Sequence, residues 1–228
     1  PDHNFEVNVI GTYKLLKKAL EYKVKKFVFA STGGAIMGEV KPPIHENMVP
    51  KPLSPYGSGK LAGEAYCSAF SGSYGLKTVC LRFSNVYGPR SFHKGSVIAH
   101  FFKQIIKGKE LIIYGDGTQT RDLVFSEDIC NGIHKAITSD ISGTFQLGSG
   151  KPTSVNELVE LLRKTVGKDY HFKAIYEDYR KGEIKDFTGI SAPFEAPEKA
   201  AIEIETKDKS IEESGNELYD KLIEFIKK

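Results

Sequence analysis

Apolar positions along this chain alternate between two spacings. Val9, Tyr13, Leu16 and Leu20 recur every three or four residues, so Asn4 to Tyr22 reads as a helix with one apolar stripe. Lys26-Phe27-Val28-Phe29-Ala30 is then a nearly continuous apolar run, closed by Ser31 and a glycine pair, which predicts a strand buried on both faces. Pro55 opens a helix through Tyr56, Lys60 and Glu64 towards Tyr74, with proline in the first turn, where its missing N–H costs nothing. Thr78 to Phe83 is the next buried strand. A Gly/Pro-punctuated loop to Gly95 leads to a helix over Val97 to Ile106, a short strand at Leu111 to Ile113 and a turn at Gly115-Asp116-Gly117. Leu123 to Phe125 reads as a strand, and Ser126 as the cap of a helix with Glu127 and Asp128 in its first turn. Ser154 caps a further helix, Val155 to Val166. Strands separated by helices imply βαβ units and a parallel sheet, hence an α/β fold.

The rhythm breaks at Gly182 to Pro197, which hold two glycines and two prolines with little periodicity. Charge shifts at the same place: from Gly182 onward there are 12 acidic and 7 basic residues, against 17 and 25 before it. We therefore expect two segments, 1–181 and 182–228, the second ending in a strand at Ala201 to Glu205 and a helix at Ile211 to Ile226. With 228 residues, 40% of them hydrophobic, the chain has enough apolar material for a real core. A net charge of +3 without a Lys/Arg block interleaved with aromatics excludes a nucleic-acid partner. No apolar run reaches the roughly 20 residues that span a bilayer, so no membrane association is expected. Three cysteines without C-x-x-C spacing, and histidines (His45, His93, His100, His134) without ligand spacing, point to a reduced, cytoplasmic protein with no metal.

The most chemical feature is Tyr56-Gly57-Ser58-Gly59-Lys60. Positions i and i+4 share a helix face, so the phenol and the ammonium are neighbours. A cation there favours phenolate; lowering a tyrosine by about 3 pH units needs about 4 kcal/mol of differential stabilisation. The product is a general base near neutral pH. The same spacing occurs at Tyr13/Lys17 and Tyr22/Lys26, which read as solvated helix faces. Context separates the third pair: it lies one loop beyond a buried strand whose carboxyl end carries Ser31 and Thr32, and ligands of open α/β sheets bind at such ends.

Five ordered stretches now carry a resemblance: Asn8 to Thr12, Phe29-Ala30-Ser31-Thr32-Gly33-Gly34-Ala35-Ile36-Met37-Gly38, Ser54-Pro55-Tyr56 to Lys60, Leu81-Arg82-Phe83-Ser84-Asn85-Val86-Tyr87-Gly88-Pro89-Arg90, and Gly115 to Asp122. Together they resemble the extended short-chain dehydrogenase/reductase family of NAD-dependent sugar-nucleotide epimerases and dehydratases, of the UDP-glucose 4-epimerase type. The resemblance implies a Rossmann-type parallel sheet, here truncated, with a small substrate-binding lobe. It implies Tyr56 as catalytic base, Lys60 as the residue that lowers its pKa and holds the nicotinamide ribose, and Thr32 or Ser31 as the hydroxyl on the sugar oxygen. NAD contacts fall on Asn8, Ala30, Ser31, Tyr56, Lys60 and Phe83, and nucleotide-sugar contacts on Asn85, Arg121 and Arg180. Guanidinium suits phosphate oxygens whatever the family; the plain alternative for Arg121 is a pairing with Asp122. Gly33-Gly34 occupy the slots where dehydratases carry an acid/base pair, which favours epimerisation.

Three departures matter. Met37 stands where the family usually has tyrosine. No G-x-x-G-x-x-G follows a strand, and the chain starts at Pro1 without methionine, so the expectation is a fragment with weak or no activity alone. Finally, Gly182 to Glu198, with the strand and helix after it, resembles the carboxyl-terminal part of adenylylsulfate kinase, in which Phe187 and Thr188 would lie by an adenine nucleotide. The kinase's phosphate loop and catalytic residues are missing. A binding module without turnover and a kinase remnant stand as alternatives, and the epimerase resemblance implies a homodimer with Tyr56 to Tyr74 as one face.

Overall fold

The computed structural model describes residues 1–166 and, for the backbone alone, 174–177. The chain opens with α1 (Asp2–Phe5), which runs through a π-helical stretch (Glu6–Gly11) into α2 (Thr12–Glu21). β1 (Lys26–Thr32), α3 (Gly33–Met37), α4 (Pro55–Tyr74) and β2 (Lys77–Phe83) form a βαβ unit. Next come β3 (Asn85–Tyr87), α5 (Val97–Ile106), β4 (Leu111–Tyr114), β5 (Thr120–Phe125) and α6 (Ser126–Thr138). β6 (Gly143–Leu147), β7 (Pro152–Ser154), α7 (Val155–Val166) and β8 (Ala174–Glu177) complete the described part.

β1, β2 and β6 pair in parallel in the order β1-β2-β6. Period-two alternation splits β2 between two cores. Cys80 joins Leu16, Phe29, Cys67, Phe70 and Leu76 beneath α2 and α4. Val79 and Leu81 face the other way and pack with Ala136 of α6. Each fully buried aliphatic side chain of this kind contributes about 1.5–3 kcal/mol. The second region has its own core, in which Phe101, Ile105, Leu111, Ile113, Leu158 and Leu162 bring α5, β4 and α7 together.

Local signals set the boundaries of α4. The Ser54 side chain accepts from the Gly57 N–H, Pro55 sits in the first turn, and Gly75 ends the helix in the left-handed region at φ 69°. Ser154 and Glu157 form a reciprocal cap: each side chain accepts from the other's backbone N–H, at 3.1 and 2.7 Å.

Three expectations need correction. β1 is only half-buried over Phe27 and Val28, and Ala30 is exposed, because among the described residues β1 has a strand on one side only. β2, flanked on both sides, is buried from Thr78 to Arg82. Ser126 does not cap α6: Phe125 holds that position and no side chain bonds the helix end. The expected parallel sheet is present in β1-β2-β6, and among the described residues only β7, on β5, runs antiparallel. Gly33-Gly34, read as punctuation, begin the short helix α3. The boundary at Gly182, the strand and helix beyond it, and Arg180 lie outside the described residues.

Candidate active site

α4 starts at the carboxyl end of β1 and presents Tyr56, Lys60 and Glu64 on one face, four residues apart. The Lys60 ammonium lies 6.0 Å from the centre of the Tyr56 ring and 5.0 Å from that of Phe29 on β1. Two glycines let other elements reach this turn. A Cβ on Gly57 would stand 2.1 Å from the Ala35 carbonyl oxygen, so only glycine lets α3 dock there. A Cβ on Gly59 would stand 2.8 Å from Asn4 Oδ1 and 3.2 Å from Asn8 Cβ. The π-helical stretch thereby brings Asn8 against α4 beside Lys60.

Burial pushes the Tyr56 phenol above its ordinary value and pulls the Lys60 ammonium below its own. For Tyr56 that direction belongs to the chain alone; the sequence expectation rests on Lys60 together with the positive charge of an oxidised nicotinamide. The ammonium sits over ring faces, and loss of water around the phenolate is the dominant effect.

The two hydroxyls at the end of β1 are not equivalent. Ser31 is buried and donates to Glu64 Oε1 at 2.5 Å. Thr32 is half-buried at the start of α3, has extended backbone, and does not cap that helix. Phe83 is the register partner of Thr32. Glu64 also receives Arg82, from Nε to Oε1 at 2.9 Å and from Nη2 to Oε2 at 2.7 Å. Sequence reasoning passed over this ion pair. Its signal was present: Glu64 continues the Tyr56–Lys60 face, and Arg82 interrupts an apolar strand.

The other Tyr-x-x-x-Lys pairs lead elsewhere. Lys17 lies 5.8 Å from the Tyr13 ring on an exposed face, and Lys26 donates to the carbonyls of Ala136 and Ser139 rather than meeting Tyr22. Met37 is fully buried, so at this position the chain has a core side chain. Cys67 and Cys80 are buried free thiols, and contact with Cys67 together with burial raises the Cys80 thiol far above its usual range.

Asn85 and Arg121 fall in the second region, both exposed. Asn85 is in register with Leu123, so Arg121, two residues earlier on β5, points to the same side of the sheet. Asp122 does not neutralise Arg121: its carboxylate accepts the backbone N–H groups of Ser149 and Gly150 at 2.8 and 3.1 Å. Among the described residues Arg121 pairs with no carboxylate, and its Nη1 donates to the Thr120 carbonyl at 2.8 Å. Among them, too, no helix is long and apolar enough to cross a membrane.

The fold and the α4 face define a Rossmann-type α/β protein of the Tyr-x-x-x-Lys class. The model of the NAD dependent epimerase/dehydratase family matches residues 1–148, and the chain belongs to that family. The adenylylsulphate kinase model matches residues 147–205, beginning well before the boundary read at Gly182. A putative UDP-glucose 4-epimerase of Methanocaldococcus jannaschii is 40% identical over 187 residues, 81% of this chain and 60% of that protein. UDP-glucose 4-epimerase of Thermotoga maritima, solved with UDP-glucose, superposes with a TM-score of 0.74 at 37% identity, over 84% of this chain and 61% of that one. The Thermus thermophilus UDP-glucose 4-epimerase complex with NAD gives 0.69 at 34% identity, over 82% and 61%. The chain thus spans little more than half the length of the curated relatives it matches, 60%, 54% and 55% for the first three.

Proposed function

We propose that this chain carries the proton-transfer and substrate-holding residues of an NAD-dependent nucleotide-sugar 4-epimerase of the UDP-glucose/UDP-galactose type. The observation that carries the reading is the α4 face: Tyr56 and Lys60 sit at the carboxyl end of β1, where Ser31 is engaged by Glu64 and the Thr32 hydroxyl is left for a ligand. Tyr56 takes the proton of the sugar 4-hydroxyl as general base and returns it after the ring turns over. Thr32 holds the sugar oxygen. Lys60, confined between two rings, supplies positive charge beside the phenol. Arg121, with Asn85 on the same side of the sheet and Arg180 further along the chain, takes the diphosphate.

The donors present suit NAD. Asn8, the Ala30 and Ser31 backbone, Phe83 and the Tyr56–Lys60 pair would hold its nicotinamide ribose half, and Asn4 Oδ1 is a buried acceptor without a partner among the described residues. Held there, NAD would supply a reversible hydride acceptor for the sugar carbon. Turnover by these 228 residues alone is expected to be weak, since no glycine-rich dinucleotide loop occurs in them. Three free thiols support a reduced cytoplasmic setting, and exposed Tyr66 and Tyr74 on α4 support a homodimer through that helix, checked by sedimentation. A second reading concerns the tail alone: its match to adenylylsulphate kinase supports descent from that family, and binding of an adenine nucleotide other than NAD would be its mark.

The test is calorimetry with UDP-glucose and UDP-galactose, with and without NAD, beside a turnover assay. Binding that Arg121→Ala weakens, and turnover that Tyr56→Phe abolishes, are expected. Absence of UDP-sugar binding, or turnover indifferent to Tyr56→Phe, overturns the proposal.

A further inference from the structure

Tyr56, Lys60 and Glu64 share a helix face, yet only the first two have a part in the reaction proposed above. Glu64 is 7% exposed, and its carboxylate is taken up by Ser31 and Arg82, themselves 4% and 5% exposed. Ser31 and Arg82 are register partners on β1 and β2. The carboxylate therefore clips α4 across two strands, one residue before each of them ends. The row continues into β6, where Gln146 is in register with Arg82 and its N–H donates to Glu46 Oε1 at 2.8 Å. Glu46 belongs to the segment leading into α4, and this hydrogen bond, aided by the Arg82 charge, holds its carboxyl below the usual range. The buried Ser31–Glu64–Arg82 cluster thus touches both strand ends and the helix, and an exposed hydrogen bond at the end of the same row reaches the segment before it.

A buried ion pair is a poor source of net stability, because the loss of hydration offsets most of the attraction. Its advantage is geometric: a bidentate carboxylate–guanidinium fork permits one mutual orientation. Ser31 and Thr32 are adjacent on a strand, so their side chains point to opposite faces. Only Ser31 faces α4 and meets the carboxylate, and the Thr32 hydroxyl, where β1 passes into α3, is left over.

We propose that the Glu64–Arg82 pair is a positioning device, which sets the rotation of α4 against the ends of β1 and β2, withdraws the Ser31 hydroxyl, and so assigns Thr32 to the sugar. Glu64 and Arg82 are positioning residues and touch no substrate. The inference rests on the epimerase reading for what is positioned, and on the buried cluster for how.

The test uses the full chain and the double variant Glu64→Leu/Arg82→Met, which removes both charges together and leaves neither buried alone. Backbone amide exchange at Ser31, Thr32 and Gly33 is expected to quicken by about tenfold or more in the folded double variant, with Val79 and Leu81 unchanged. Turnover of UDP-galactose with NAD is expected to fall by about tenfold or more, while the UDP-glucose dissociation constant stays within about twofold. Ser31→Ala slows turnover in the native chain and adds no further loss in the double variant, because Ser31 acts only through Glu64. Native exchange rates at the three amides in the folded double variant overturn the inference. If the native chain neither binds UDP-glucose nor turns over, yet exchange quickens in the variant, the epimerase reading falls and the positioning of the strand ends stands. Should the double variant not fold, Ser31→Ala is read at the flanking amides of Thr32 and Gly33, and unchanged exchange there overturns the inference.

Discussion

Along α4 a carboxylate is buried together with its hydroxyl and guanidinium partners; across the second sheet the candidate ligand-binding groups stand in the open. Ser31, Glu64 and Arg82 bond one another inside the first region, with only Arg82 Nη1 of this set left without a partner among the described residues, and Lys60 lies near two rings. Asn85 and Arg121 are exposed on strands of the second region, which rests on a separate apolar core. A group that moves a proton needs fixed geometry and a controlled amount of water, so it is held by many neighbours. A group that meets a phosphate needs reach, and a long side chain on an exposed strand provides it.

Mutations should divide along the same line. Glu64→Ala leaves Arg82 as an uncompensated buried charge and is expected to cost about 3–5 kcal/mol, read from denaturant unfolding; a loss under about 1 kcal/mol would mean that water replaces the carboxylate. Tyr56→Phe should leave folding near native and lower turnover by about 100-fold or more, measured as UDP-glucose formed from UDP-galactose. Arg121→Ala reverses the signature: UDP-sugar binding should weaken by about 1.5–3 kcal/mol in calorimetry, with stability within about 0.5 kcal/mol of native. Equal losses of stability at Arg121 and Glu64 would erase the distinction between the regions. Gly57→Ala drives a methyl into the Ala35 carbonyl and should cost about 1–3 kcal/mol, with the shift felt at the start of α4.

The smallest effect lies in alkaline solution. Burial raises the folded Tyr56 phenol above its ordinary value of 10.0, so the folded state keeps that proton longer than the unfolded one. This share of stability is present below pH 10 and is lost as pH rises through the folded value. Lys60, lowered by burial, acts with the opposite sign, its share growing as pH climbs towards 10.5. Tyr56→Phe should therefore flatten the alkaline fall in unfolding free energy, and Lys60→Met should steepen it, each followed by denaturant titration across that range.

Much of the first region was legible before any coordinates. α4 could be bounded because Ser54, Pro55 and Gly75 act on their own backbone, and β2 because a mostly apolar run of this length has few other uses. Glu64 escaped notice because a glutamate on a helix is ordinarily exposed; its partners lie 33 and 18 residues away in sequence. β1 was misjudged for a related reason, since its composition matches that of β2 and only the number of flanking strands separates them. Arg121 and Asn85 were legible as residue types but not as neighbours on one side of a sheet, which the β3–β5 register decided.

The sequence by itself determined the longer helices and the apolar strands β1, β2, β4 and β5, though not α3, β3, β6 or β7, as well as where α4 begins and stops and that a phenol and an amine share one of its faces. These are consequences of backbone caps and of periodicities of 3.6 and 2 residues, which act over a turn or less. Tertiary packing alone decided which of two adjacent hydroxyls is consumed, that a carboxylate is buried, and how far the phenol is taken out of water. Hydration and charge pairing depend on whatever atoms lie within a few ångströms, and in this chain those atoms come from distant stretches of sequence.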